Sequence, residues 1–112
     1  MTKPFKTSIR RQADKVTIDL YGEINALADQ EMQSAYTEAA SGSPAIIVLN
    51  FSDVSYINST GIALIVGVMA QARKVHQTLA IYGLSDHYLE IFQITRLADF
   101  IQIFPDEASV VV

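Results

Sequence analysis

Two hydrophobic rhythms alternate along the chain. Over residues 16–21, Val16, Ile18 and Leu20 alternate with Thr17, Asp19 and Tyr21, the period of two expected of a half-buried strand. Residues 4–11 form a second short strand, joined to it at Ala13-Asp14, and Gly22 marks the end of the pair. Over residues 26–40 the spacing turns helical. Leu27, Met32, Ala35, Tyr36 and Ala39 share one face, and Asp29, Gln30, Glu31 and Glu38 lie mostly outside it. Ser41-Gly42-Ser43-Pro44 stops the helix and turns the chain.

Ala45-Ile46-Ile47-Val48-Leu49 is a continuous apolar run rich in β-branched residues, as a central strand covered on both faces requires. Residues 50–57 read as a loop with three apolar anchors, Phe51, Val54 and Ile57. A helix starting at Asn58 or Ser59 runs to about residue 75. Residues 78–82 form another buried strand closed by Gly83. Ser85 or Asp86 caps a short helix through Ile94, residues 100–104 form a last strand, and Pro105 opens a short C-terminal segment of helical character. The order β-β-α-β-α-β-α-β predicts one α/β domain over residues 1–112. Its central sheet is mostly parallel, with an N-terminal antiparallel hairpin and helices packed mainly on one face. Strand-to-helix junctions then fall at the carboxyl edge of the sheet, where such domains place their sites.

Composition narrows the function classes. Half of the 112 residues are hydrophobic and 18% are charged, enough to bury a core without staples. The net charge of −4 argues against a direct nucleic-acid binder, which carries a basic surface. The absence of cysteine excludes disulfides and thiolate chemistry and fits a reducing, cytoplasmic setting. The first residues lack the apolar core of a signal peptide, and the uncharged run over residues 62–70 is too short to span a bilayer.

The richest segment is Tyr56-Ile57-Asn58-Ser59-Thr60-Gly61-Ile62. Asn58, Ser59 and Thr60 each carry a short side-chain oxygen able to cap the following helix. A hydroxyl at a helix N-terminus can also take a phosphate at low local cost, because the new charge meets free N–H donors and a positive dipole end. Gly61 would keep the first turn bare for an approaching kinase. The helix over residues 61–70 carries no charge at all. Either it is sandwiched inside the domain or it shows apolar surface to a partner.

Enzymatic chemistry finds little support. Ser59 lacks the Gly-x-Ser-x-Gly elbow of a nucleophile, and the two histidines, His76 and His87, read as surface residues. Asp14, Asp19, Asp53 and Asp86 are dispersed, and no glycine-rich phosphate loop is present. We therefore expect no catalytic residue, no metal site and no cofactor.

Over essentially its whole length the chain resembles the STAS domain of bacterial anti-sigma factor antagonists. The resemblance rests on Gly22-Glu23-Ile24-Asn25, on the strand over residues 46–50, and above all on Asp53-Val54-Ser55-Tyr56-Ile57-Asn58-Ser59-Thr60-Gly61-Ile62. It implies a partner-switching signalling protein. In that family the non-phosphorylated domain binds an anti-sigma factor that is also a serine kinase, so freeing the sigma factor. Phosphorylation releases the antagonist, and a PP2C-type phosphatase reverses the mark. By resemblance Ser59 is the phosphoacceptor, with Asn25, Ser55, Tyr56, Ile57, Asn58, Thr60 and Gly61 around it on the partner-facing edge. The family often has Asp where this chain has Asn25 and Asn58, which makes this switch less acidic. The rival expectations are a non-switching STAS scaffold that pairs through the apolar helix, and a switch with an output other than a sigma factor.

Overall fold

The computed structural model describes residues 3–110. Five strands form one sheet in sequence order: β1 (Lys6–Gln12), β2 (Lys15–Ile24), β3 (Ile46–Ile57), β4 (Thr78–Tyr82) and β5 (Gln102–Phe104). The β1–β2 pair is an antiparallel hairpin and every later pair is parallel. Three helices connect the parallel strands: α1 (Asp29–Ala40), α2 (Ser59–Lys74) and α3 (Asp86–Ile94). Each crossover steps to the next strand in the same direction. Right-handed connections must then carry all three helices to one face of the sheet.

The main core lies on that face. Ile18, Leu20, Ile47, Leu49 and Ile81 from the sheet meet Met32, Ile65, Val68 and Phe92 from the helices, all essentially buried. The other face has a smaller cluster of Ile46, Val48, Ala80 and Tyr82, covered by Val110 and Phe104. The β3 run over residues 46–49 is thus buried on both sides, as its apolar continuity predicts. The expected short C-terminal helical segment is a 3-10 turn at Glu107–Ser109, capped by Asp106.

Three expectations need correction. Residues 50–57 are the second half of β3 rather than a loop. They pair with the end of β2, which continues through Gly22 instead of stopping at Tyr21. The pairing slips twice. Between Asp19↔Asn50 and Tyr21↔Asp53, and again between Gly22↔Val54 and Glu23↔Tyr56, β3 carries one residue more than β2. Each extra residue resets which face the strand shows. Phe51, Val54 and Ile57 therefore face the helices at intervals of three, a spacing that is neither the period of two of a strand nor the 3.6 of an α-helix. The last correction concerns Leu27. Residues 26–28 form a 3-10 turn ahead of α1, so the helical phase does not extend back to them. Leu27 is 91% exposed instead of sharing the buried face.

Candidate functional site

Strands β2 and β3 end level with one another, at the pair Ile24↔Ile57. Each isoleucine is followed by an asparagine with extended backbone, and each asparagine caps a helical start. Asn25 Oδ1 accepts the Leu27 N–H at 2.9 Å. Asn58 Oδ1 accepts the Gly61 N–H at 2.8 Å. Two N-terminal ends thus open side by side on the carboxyl edge of the sheet, and the 3-10 turn packs against α2.

The cap of α2 is Asn58, and Ser59 is the first helical residue. The cap open to Asn58, Ser59 or Thr60 in the sequence is assigned by this geometry. Ser59 is exposed, and its hydroxyl has no hydrogen-bond partner among the described residues. The first intrahelical bond runs from the Ile62 N–H to the Asn58 carbonyl at 2.9 Å. The N–H groups of Ser59 and Thr60 precede it and stay free of intrahelical acceptors.

The predicted site residues divide by what they can touch. Ser55, Tyr56, Ser59 and Thr60 are exposed, and Asn25 and Asn58 are half-buried. Ser55 is the extra residue of the second slip in β3. Ile57 and Gly61 are buried and cannot present a surface to a partner. The expectation that Gly61 clears the way for a kinase is therefore corrected. Its bare Cα faces inward, and a Cβ there would overlap the Ile24 carbonyl. Glycine is required so that α2 can start against the end of β2. That carbonyl also accepts the Asn58 N–H at 3.2 Å.

Helix α2 resolves the alternative left open for it. It buries Ile65, Val68, Met69 and Ala72 and turns Ser59, Ala63, Val66 and Ala70 to solvent. It lies on one face of the sheet and is not sandwiched. Its outer stripe stays uncharged until Arg73 and Lys74 in the last turn. Leu27 was not expected at the surface, yet it stands exposed on the 3-10 turn that packs against α2. Tyr88 carried no sequence signal of its own, and its hydroxyl contacts the Ile57 backbone.

The strongest electrostatic coupling lies elsewhere, on the sheet face opposite the helices. The Arg10 guanidinium donates two bonds to Asp19, at 2.7 and 2.9 Å, and one to Glu107 at 2.8 Å. Asn50 donates to Asp19 at 2.7 Å, and the Tyr82 hydroxyl donates to Glu107 at 3.1 Å. Burial pushes the Asp19 carboxyl up, but the bonds from Arg10 and Asn50 outweigh it and hold it below the ordinary range. This network ties four strands to the C-terminal turn. Its residues are spoken for structurally, and none lies at the Ser59 edge. A groove of about 950 Å³ lies toward the far end of α2 around His76 and Gln102, on the order of 20 Å along the helix from Ser59. Among the described residues no cluster of acidic or histidine side chains could hold a metal ion.

Comparison with known proteins shows the family and the fold. A family model described as the STAS domain matches residues 6–110. The anti-sigma-B factor antagonist of Listeria monocytogenes is 31% identical over 93 residues, covering 83% of this chain and 82% of that protein. An anti-sigma factor antagonist from Mycobacterium paratuberculosis superposes with a TM-score of 0.80 at 15% identity, covering 96% of this chain and 93% of that one. The Bacillus cell fate determinant SpoIIAA in its phosphorylated form superposes with a TM-score of 0.69 at 22% identity, covering 95% and 96%. The last two likenesses concern the fold.

Proposed function

The chain belongs to the STAS-domain family, and from that premise we propose that it is an anti-sigma factor antagonist switched by phosphorylation of Ser59. The antagonist role follows from relatives that are anti-sigma-B factor antagonists over more than four-fifths of the chain. The switch at Ser59 rests on one observation in particular. The hydroxyl is exposed and uncommitted, at the first position of a helix whose cap is supplied by its neighbour Asn58.

A phosphate on Ser59 would add a charge of roughly −1.5 to −2. The free N–H groups of Ser59 and Thr60 and the positive end of α2 would receive it. Asn58 would keep its cap, so the fold survives while an uncharged surface becomes strongly negative. An anti-sigma factor seated on this corner would meet new charge at the head of the uncharged stripe of α2, against which the 3-10 turn carrying Leu27 packs. Repulsion and the cost of desolvating the phosphate would then release it.

The protein is, in this proposal, a substrate of catalysis and performs none. A serine-kinase-type anti-sigma factor modifies it and a PP2C-type phosphatase restores it, in the cytoplasm. Among the described residues no helix is long and apolar enough to cross a membrane.

Incubation with ATP and a serine-kinase-type anti-sigma factor from the same host tests this, with the modified residue read by mass spectrometry. Phosphate at Ser59, none in Ser59→Ala, and binding lost in Ser59→Asp are expected. Equal anti-sigma factor binding by wild type, Ser59→Ala and Ser59→Asp would leave only the scaffold role.

A further inference from the structure

We infer that Tyr88 is a positioning residue for phosphoryl transfer to Ser59, an inference that rests on Ser59 being the acceptor. Strand β4 accompanies β3 only from Ile46 to Asn50. Beyond that point β3 runs on to Ile57 with a strand neighbour, β2, on one side alone. The backbone groups facing the open side need another partner, since buried N–H and C=O groups are almost always paired. At Ile57 the Tyr88 hydroxyl meets both needs. It accepts the Ile57 N–H at 2.8 Å and donates to the Ile57 carbonyl at 3.4 Å.

Tyr88 is well placed to hold this position. It is buried in the first turn of α3, where its own N–H donates to the Ser85 cap at 3.4 Å. The His87 ring packs edge-on against it, with centroids 4.9 Å apart. On the other side of the strand the next residue, Asn58, donates its N–H to the Ile24 carbonyl. The end of β3 is thus gripped from both flanks at consecutive residues, and Ser59 follows directly.

Phosphoryl transfer leaves the protein little covalent work, so its rate depends on where the attacking oxygen stands. Tyr88 does not touch Ser59. It acts through Ile57 and Asn58 by fixing the strand end from which the hydroxyl projects. Its loss should therefore slow the chemical step and leave binding to the kinase nearly intact.

The experiment compares Tyr88→Phe with wild type as substrates of the serine-kinase anti-sigma factor. Ile47→Val, a buried cut at the start of the same strand, far from Ile57, serves as a control for lost stability. The expected result is a fall of about tenfold or more in kcat for Tyr88→Phe, with KM within about twofold, and neither change in Ile47→Val. A wild-type kcat for Tyr88→Phe, or an equal fall in the control, overturns the role. Hydrogen exchange at the Ile57 and Asn58 amides, measured without kinase, separates the two layers of inference. Faster exchange at these amides in Tyr88→Phe supports the clamp, and unchanged exchange overturns it. If wild type takes no phosphate at Ser59, the acceptor assignment fails and with it the positioning role, whatever the exchange shows.

Discussion

The Ile24 carbonyl oxygen occupies the space that a side chain on residue 61 would need, and Gly61 is the residue that leaves it free. The same carbonyl accepts the Asn58 N–H, so neither it nor the start of α2 can move aside independently. In an unconstrained helix Gly→Ala would gain up to about 1 kcal/mol of propensity. Overpacking against fixed backbone costs about 1–3 kcal/mol or more, and here the clash should win. Gly61→Ala is expected to be destabilised by about 1–2 kcal/mol in urea unfolding. A variant as stable as wild type would mean that the β2 end and the α2 start do not meet as described.

Asn58 and Ser59 should separate cleanly by substitution. Asn58 caps α2, and replacing such a cap by Ala costs about 0.5–2 kcal/mol. Ser59 is exposed with an uncommitted hydroxyl, so Ser59→Ala should stay within about 0.5 kcal/mol of wild type. Chemical denaturation of both variants decides which residue caps. The reverse ranking would return Ser59 to a structural role and weaken its case as phosphoacceptor.

The junction at Asn58 was legible in the sequence because three short polar side chains interrupt apolar residues at the start of a long uncharged helix. The parallel sheet was legible from the alternation of elements. The second half of β3 was hidden by its own irregularity: two extra residues put Phe51, Val54 and Ile57 at intervals of three, which breaks the period of two by which a strand is read. Leu27 was misplaced because helical phase was counted through a 3-10 turn. Tyr88 could not be found at all. Its function depends on a side chain meeting backbone 31 residues away, and no local pattern encodes such a contact.

Acid should loosen the sheet from the face opposite the helices. Bonds from Arg10 chiefly hold Glu107 below the usual carboxylate range, and Asp19 is low because its bonds to Arg10 and Asn50 outweigh burial. A carboxylate depressed on folding contributes stability that is full above its unfolded pKa and is lost as pH falls through its folded pKa. The thermal midpoint should therefore hold from neutral pH to about 5 and drop below about 4. Asp19→Asn should start lower at pH 7 and fall less steeply, approaching wild type in strong acid. Parallel wild-type and Asp19→Asn profiles would show that this network does not govern the acid limb.

Leu27 offers a test of the partner-facing corner that leaves the fold alone. Its side chain is 91% exposed, and the turn is held by a bond to its backbone N–H, so Leu27→Gln should change stability by less than about 0.5 kcal/mol. If the anti-sigma factor covers this corner, the same change should weaken binding at least about fivefold, in the range of a buried apolar anchor. Calorimetric titration with the non-phosphorylated protein reads it directly. An unchanged affinity would move the interface away from the 3-10 turn.

The two asparagines set the charge around the phosphate. Neither Asn25 nor Asn58 adds negative charge, and both already spend their side-chain oxygen on a helix N–H. Asn58→Asp would keep an acceptor for the Gly61 N–H and add a favourable charge at the N-terminus of α2, worth about 0.3–1 kcal/mol in the unmodified protein. Once Ser59 is phosphorylated, that carboxylate faces a like charge from the neighbouring residue. Like charges favour the protonated form, so the second pKa of the phosphate, normally about 6, should rise in Asn58→Asp relative to wild type. Phosphorus NMR titration of the two phosphoproteins measures the shift. The stability gain of the unmodified variant should shrink or reverse on phosphorylation. Identical titration curves would show that a carboxylate at residue 58 does not act on the phosphate.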